Sequence, residues 1–156
     1  MLRVTRLTDY ATVVLTVLAA EPDCVLSAAE LAERAGLEAP TVSKLLKPLA
    51  QAGLLDAFRG AHGGYRLSRP PRDISLIDIV EAMEGPLAMT ECSLDAASCG
   101  IASQCGARAN WRRINDIVAD ALRSVSLAQM LDDPTIPDSG AGPGAPRRIP
   151  ARLATA

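Results

Sequence analysis

The sequence has little of what several common kinds of protein require. Its 156 residues include only one Trp, two Tyr and one Phe, so aliphatic side chains and alanine must fill the core. Four cysteines are too few for a disulfide scaffold in a chain of this size. No run reaches the ~20 apolar residues that a membrane span needs. We therefore expect one globular protein of common size, with no membrane partner.

The start of the chain contains an apolar run, 11–20, that follows Arg3 and Arg6. Such a run has the length of a signal-peptide core. Asp9 and Tyr10 interrupt the change from basic to apolar residues, which argues against secretion. We expect a cytoplasmic protein in which residues 5–20 form a buried helix, because this segment is apolar on nearly all sides.

Charge is distributed unevenly along a chain whose net charge is only −2. Residues 39–72 contain six basic residues and one acidic residue, whereas residues 73–107 contain six acidic residues and no Lys or Arg. The net charge therefore conceals a local basic surface of the kind that attracts phosphates. The six basic residues are Lys44, Lys47, Arg59, Arg66, Arg69 and Arg72.

Two short helices joined by a glycine turn are predicted after the first helix. The residues Ser27-Ala-Ala-Glu30 match a capping box, and Gly36 is suited to the left-handed residue that ends a helix. Pro40 suits the first position of a second helix, which would run to residue 52 with a kink at Pro48. This arrangement is typical of a helix-turn-helix.

A small β-hairpin and a further helix complete the predicted domain. Residues 54–59 and 64–68 read as two short strands around the glycine-rich turn 60–64, which is the pattern of a wing. Ser75 would cap a helix that runs to Glu84 and ends at Gly85-Pro86. The fold class predicted is mainly α with a small β-wing, and residues 1–86 form the winged helix-turn-helix DNA-binding domain.

The C-terminal part of the chain predicts one long helix and a tail. Residues 108–131 carry apolar side chains at spacings of three and four, which is the seam of a dimerisation helix. The alternative is that this helix packs onto its own domain. Residues 132–156 are rich in Pro and Gly, so we expect a disordered tail. The seam consists of Trp111, Ile114, Val118, Ala121, Val125 and Ala128.

Between the domain and the long helix, segment 87–107 contains Cys92, Cys99 and Cys105. Their spacing differs from the paired C-x2-C of a zinc knuckle, and thiolates are soft ligands that also hold iron–sulfur clusters. Wide, irregular spacing suits a loop around such a cluster. Two alternatives are a structural zinc site and three small buried residues without a ligand. Cys24, among apolar residues, is expected to pack in the core.

An enzymatic role for these thiols is not expected. The segment lacks C-x-x-C, and the only histidine of the chain, His62, is far away in the sequence, so nothing nearby would activate a thiolate. We therefore expect a protein that is not an enzyme and has no small-molecule substrate.

Several motifs together resemble the IscR/NsrR family of iron–sulfur transcription regulators, and within it the branch that controls SUF iron–sulfur assembly genes. The resemblance covers residues 2–131. It implies a homodimer that binds double-stranded operator DNA and holds a [2Fe–2S] or [4Fe–4S] cluster through Cys92, Cys99 and Cys105 with a fourth, non-cysteine ligand. The motifs are LTDYA at 7–11, LAQAGLL at 49–55, RGAHGGYRLSR at 59–69, DIVEAMEG at 78–85 and NW with IN at 110–115.

The fourth ligand is where this sequence departs from part of that family. IscR-like members carry a His two or three residues after the third cysteine, whereas here the stretch is Gly106-Ala107-Arg108. NsrR-like members use an N-terminal Asp from the other subunit, and Asp9 matches that position. The alternative is that Asp9 is a helix N-terminal charge stabilised by the macrodipole. His62 is also a conceivable ligand, although its place in the wing favours a DNA contact.

The resemblance and the helix-turn-helix pattern also predict the DNA contacts. Thr41, Ser43 and Lys44 lie in the first turns of the second helix, where recognition helices touch bases. Lys47 would contact a phosphate, with a solvated helix face as the alternative, and Arg59 of the wing would enter the minor groove.

The function predicted from these residues is an iron–sulfur-sensing repressor of SUF assembly genes. The alternative is a nitric-oxide or redox sensor that uses the same cluster. IscR uses a Glu of its recognition helix to distinguish two classes of operator, and the matching residue here is Ser43, so that discrimination is not expected.

Overall fold

The computed structural model describes residues 3–60, 62–90, 93 and 104–131. Two of the three predicted cluster ligands, Cys92 and Cys99, lie outside the described residues, as does the tail predicted at 132–156.

The described chain is mostly helical and contains a two-stranded antiparallel sheet, which confirms the predicted fold class. A short 3₁₀ turn, Pro71–Asp73, precedes the fourth helix. The elements are α1 Arg6–Ala20, α2 Ala28–Ala35, α3 Ala39–Gln51, β1 Leu55–Phe58, β2 Gly64–Leu67, α4 Leu76–Glu84, α5 Arg108–Arg123 and α6 Leu127–Leu131.

Local capping signals set several of the helix ends. Ser27 and Glu30 form the predicted capping box at the start of α2, and Gly36 ends α2 with a φ of 65°. Ser75 caps α4 in the same way, together with Asp78. These contacts satisfy amide groups that have no partner inside the helix.

The second helix of the helix-turn-helix lies within one residue of its predicted ends. It begins at Ala39, so Pro40 occupies the second position rather than the first. As predicted, it continues past Pro48, and it ends at Gln51. Because Pro48 lies in the second half of the helix and Leu49 beside it is fully buried, packing can offset the hydrogen bond that the proline removes.

Strand β1 is one residue shorter than predicted at both ends, whereas β2 begins as predicted and ends one residue earlier. Leu55 pairs with Leu67 and Phe58 pairs with Gly64 across the hairpin. The Leu26 backbone pairs with Tyr65 on the other edge of β2, through N–H to O distances of 3.0 and 2.8 Å. A Cβ on Gly64 would lie 2.5 Å from the Leu26 carbonyl oxygen, so glycine is required where this approach is closest.

The core lies between helices α1 to α4, α6 and the inner face of the hairpin, and it is almost wholly aliphatic, as expected from the scarcity of aromatic residues. Phe58 and Trp111 are exposed. The largest fully buried side chains are Leu15, Leu18, Leu31, Leu45, Leu46, Leu49, Leu54, Ile74, Ile79 and Leu127.

The prediction of one helix over residues 108–131 is wrong. Helix α5 ends at Arg123, and the chain turns back so that α6 packs on α1. Leu127 is fully buried, and its amide donates to the Ile74 carbonyl at 2.7 Å. Val125 lies beyond the end of α5 and therefore does not continue the predicted seam. Its carbonyl accepts from the Leu76 amide at 2.8 Å. The burial of Leu127 and these two backbone hydrogen bonds stabilise the turn between α5 and α6.

The prediction that Cys24 packs in the core is also wrong, because Cys24 is exposed. It lies in the turn between α1 and Leu26, beside Glu21. A hydrogen bond with Glu21 raises the pKa of the Cys24 thiol, which disfavours the reactive thiolate.

Candidate nucleic-acid interface and metal segment

Helix α3 has one buried face and one exposed face at helical spacing. Val42, Leu45, Leu46 and Leu49 are buried against the core. Lys44 and Lys47 are exposed, Ser43 is exposed, and Thr41 is half-buried. The Ser43 hydroxyl donates to the Ala39 carbonyl at 2.9 Å. Its proton is therefore already used, and only its oxygen lone pairs are available to accept a further hydrogen bond. The predicted reading face of the helix is therefore presented to solvent.

The six basic residues of segment 39–72 fall into two groups. Arg66 pairs with Asp56, Arg69 with Asp78 and Arg72 with Asp73. Within the described residues no ion pair involves Lys44, Lys47 or Arg59. A paired cation has part of its field neutralised, whereas an unpaired one is free to attract phosphate. The three unpaired cations are those for which the sequence predicts DNA contacts.

The wing places Arg59 at the end of β1 and His62 in the turn, and both are exposed. The turn is tight: Gly60 has a φ of 109°, and the Gly63 amide donates to the Gly60 carbonyl at 3.0 Å. A Cβ on Gly63 would lie 2.5 Å from the Phe58 carbonyl oxygen, so glycine is required there. The turn therefore projects Arg59 and His62 away from the core.

Sequence reasoning missed Phe58, the aromatic residue that directly precedes Arg59. Phe58 is 41% exposed, and the Arg66 guanidinium lies 5.1 Å from the centroid of its ring. Arg66 also contacts Asp56 at 3.4 Å, so the three side chains form one cluster on the wing. The signal was available, since Phe58 is the only Phe in the chain and directly precedes Arg59.

Asp9, the candidate fourth ligand, is exposed in the first turn of α1. It lines an open groove of about 840 Å³ between the start of α1, the end of α4 and part of α5. Arg3, Arg6 and Glu84 line the same groove. Thr5 caps α1, and its hydroxyl accepts from the Thr8 amide at 3.3 Å.

Cys105, the one described residue of the cysteine triplet, is half-exposed and forms no disulfide. It lies just before α5 and lines a shallow cavity with three cations and one acid, Arg108, Arg112, Arg113 and Asp116. The Nε of Arg108 is buried and has no hydrogen-bond partner among the described residues. A half-exposed thiol next to several cations is suited to holding an anionic, thiolate-bound group.

The described residues do not by themselves complete a metal site. Over 3–60, 62–90, 93 and 104–131, no three His, Cys, Asp or Glu side chains gather into a group that could hold a metal ion. Asp9 and Cys105 line different cavities. The donor type and the surroundings of Cys105 fit an iron–sulfur cluster, and the remaining thiols would have to come from Cys92 and Cys99.

The fold and the exposed basic face define a winged-helix DNA-binding protein. The family model of Rrf2, described as an iron-dependent transcriptional regulator, matches residues 4–133, and the chain belongs to this family. It is therefore a transcription regulator that binds DNA and not an enzyme. None of the described helices is long and apolar enough to cross a bilayer.

Individual relatives agree with this assignment. The protein aau3 of Rhizobium meliloti is 31% identical over 131 residues, which are 83% of this chain and 85% of that protein. The structure of CymR, the global cysteine regulator of B. subtilis, is similar with a TM-score of 0.66 and 29% identity, covering 85% of this chain and 98% of that one. The T. potens IscR structure is similar with a TM-score of 0.63 and 30% identity, covering 90% and 94%.

Proposed function

We propose that this Rrf2-family regulator is a homodimeric repressor of SUF iron–sulfur assembly genes that senses a cluster held by Cys92, Cys99 and Cys105. The observation that carries the DNA-binding part is the selective absence of ion pairs at Lys44, Lys47 and Arg59 among the described residues. The cluster part rests on the thiol triplet, the surroundings of Cys105 and the iron-dependent character of the family.

On DNA, the exposed face of α3 would lie in the major groove, with Thr41, Ser43 and Lys44 near base edges. Lys47, one turn further on, would contact a phosphate. Arg59 would enter the minor groove from the wing, and His62 would contact the adjacent backbone or groove. Phosphate contacts supply affinity and base contacts supply specificity.

Replacing Arg59 tests this interface. We expect Arg59→Ala to weaken binding to promoter DNA of the iron–sulfur assembly operon by about 1–3 kcal/mol, the range of a specific Arg–base contact. Gel-shift titration at fixed salt measures the effect. The matched control is Arg69→Ala, whose exposed guanidinium already pairs with Asp78 at 3.1 Å and which should change affinity less. Equal losses in the two variants would contradict the proposed contact.

Dimerisation would use α5, where an apolar stripe remains exposed beside the face that packs on α4. Trp111, Ile114 and Ile117 are 40%, 39% and 58% exposed, and they stand three residues apart on the helix. Most charged residues of the helix lie away from this stripe, and Arg113 and Asp120 border it on either side of Ile117 along the helix. A twofold copy would cover this stripe with its own, and it would give two reading helices for two half-sites of an operator.

The cluster would be held by three thiolates, with Asp9 as the proposed fourth ligand. When bound, an iron–sulfur cluster supplies a redox-active and oxygen-sensitive centre, and a carboxylate ligand would exchange more readily than a thiolate. Around Cys105, the positive charges of Arg108 and Arg112 would offset the negative charge of the site. The cysteine segment joins the DNA-binding domain to α5, so its order would bias how the two domains of a dimer are spaced.

Anaerobic purification tests the ligand assignment. We expect the wild-type protein to be coloured and Cys105→Ser to lose its visible absorbance and its bound iron and sulfide. The matched control is Cys24→Ser, which removes an exposed thiol far from the segment in sequence and should keep the spectrum. A colourless wild-type protein, or an unchanged spectrum in Cys105→Ser, would overturn the proposal.

A nitric-oxide or redox sensor using the same cluster is the second candidate. The specific observation that favours it is Asp9, exposed at the position where NsrR-like members carry their oxygen ligand. Promoter output measured under iron limitation, oxygen and nitric oxide separates the two functions.

A further inference from the structure

The start of α1 and the end of α4 are joined by one carboxylate. Glu84 is the last residue of α4, and its Oε1 accepts from the Thr5 amide at 2.8 Å and from the Thr8 hydroxyl at 2.6 Å. The same oxygen serves both donors, and the two threonine hydroxyls lie 3.1 Å apart. The result is a compact polar cluster that links segments almost eighty residues apart in sequence.

Within this cluster Thr8 is buried, whereas Thr5 and Glu84 are exposed. Thr8 is only 1% exposed and is the one polar side chain in the buried set of the described residues. Its hydroxyl donates to Glu84, so its burial costs little. Hydrogen bonds from Thr8 and Thr5 hold the pKa of Glu84 below its usual range, which keeps the acceptor ionised at neutral pH.

Each end of this link continues into a segment with a proposed role. On one side, Thr8 is followed directly by Asp9. On the other, Glu84 is followed by Gly85, with a φ of 86°, and by the residues that lead to Cys92.

The described start of the cysteine segment is itself held in place. The Leu87 amide donates to Glu81 of α4 at 3.4 Å, and the Met89 amide donates to the Asn115 side-chain oxygen of α5 at 3.1 Å. The link at Glu84 therefore joins an anchored segment to the helix that carries Asp9.

We propose that Glu84 is a positioning residue: its carboxylate fixes the start of α1, and with it Asp9, relative to the point where the cysteine segment begins. The inference rests on the proposed function, because it concerns the same cluster site. Glu84 need not touch the cluster. It sets where Asp9 stands on its own domain, whether Asp9 serves the cluster of its own chain or that of a second copy.

Glu84→Gln is the direct test, because it keeps the shape and the acceptor oxygen but removes the charge that strengthens both bonds. In the cluster-loaded protein we expect a chelator to release iron about 10-fold faster, as when a partner that orients a metal ligand is lost. In the cluster-free protein we expect faster hydrogen exchange at the Thr5 amide. The control is Glu33→Gln, an exposed carboxylate of α2 for which no side-chain contact with α1 or with the start of the cysteine segment is described.

A pair of substitutions at Thr8 gives a second, independent test. Thr8→Val removes the donor with little change of shape and should reproduce the faster release, whereas Thr8→Ser keeps the donor and should behave as wild type. Both are compared at a temperature well below unfolding, so that a merely structural role would leave the release rate unchanged.

The outcomes separate this inference from the function on which it rests. Faster release in Glu84→Gln and Thr8→Val, but not in Glu33→Gln and Thr8→Ser, supports it. A coloured wild-type protein from which all four variants release iron at the wild-type rate overturns the positioning role and leaves the proposed function standing. A colourless wild-type protein overturns the proposed function, and this inference with it.

Discussion

The winged-helix region and helix α5 bury their side chains to very different extents. Helices α1 to α4, the hairpin and α6 share one core, in which Leu15, Leu45 and Leu127 are fully buried. None of the 16 residues of α5 is buried. The two regions belong to one chain, but only the first buries its apolar side chains within that chain.

This difference indicates where the chain is self-sufficient. Most of the stability of a protein helix comes from packing an apolar face, and the main helix on which α5 packs in the described structure is α4. Its second apolar stripe, which includes Ile114 and Ile117, remains in solvent. The DNA-binding region closes its own core, whereas α5 is a helix whose packing is incomplete within the chain.

The largest expected effect lies in the core of the first region. Leu45→Ala removes most of a fully buried side chain from the inner face of α3 and should lower the free energy of unfolding by about 2–5 kcal/mol. Denaturant unfolding followed by circular dichroism measures the change.

The control for that prediction is Ile117→Ala, the same kind of truncation at a residue that is 58% exposed. Measured at protein concentrations low enough to favour the monomer, it should lower the free energy of unfolding by much less than Leu45→Ala. Equal losses would mean that α5 belongs to the same cooperative core, and the contrast between the two regions would be wrong.

The first region was largely predictable from sequence because its signals are local. The Ser27-to-Glu30 capping box, the left-handed Gly36 and the Ser75 cap each depend on residues within one helical turn. The wing is set by a glycine-rich turn between two short apolar strands. These features were predicted correctly to within one or two residues at their ends.

Features that depend on distant partners were not predictable in this way. A seam that continues through Val125 and Ala128 is compatible with one long helix, and only the Ile74 carbonyl and the site that receives Leu127 favour the turn back. The link between Thr8 and Glu84 is likewise long-range. Helix α1 also contains Thr12 and Thr16, so nothing in its sequence singles out Thr8 as the residue with a distant partner.

In the candidate site, too, features set by local sequence were predictable and features set by distant residues were not. The unpaired state of Lys44, Lys47 and Arg59 among the described residues agrees with the DNA contacts predicted from sequence, but it depends on which acids fold next to the other cations. Exposure of Cys24 could not be read from its apolar neighbours, because Val25 is itself 37% exposed and only Leu26 packs inward. The ligand role of Asp9 stays a prediction.

A smaller but sharper test of the contrast lies on the exposed stripe of α5. Ile117→Glu places a charge where a second copy would pack, so the dimer dissociation constant should rise roughly 30-fold, equivalent to about 2 kcal/mol. The fold of each chain should persist, because Ile117 contributes little to the core.

Analytical ultracentrifugation of the cluster-free protein measures association, and circular dichroism checks the helix content. The matched control is Ala109→Glu, which adds the same charge on the polar side of the helix and should leave association unchanged. An unchanged dimer dissociation constant in Ile117→Glu would show that a second copy does not pack on this stripe. The two regions would then differ in how far their side chains are exposed, but α5 would not depend on a partner through this surface.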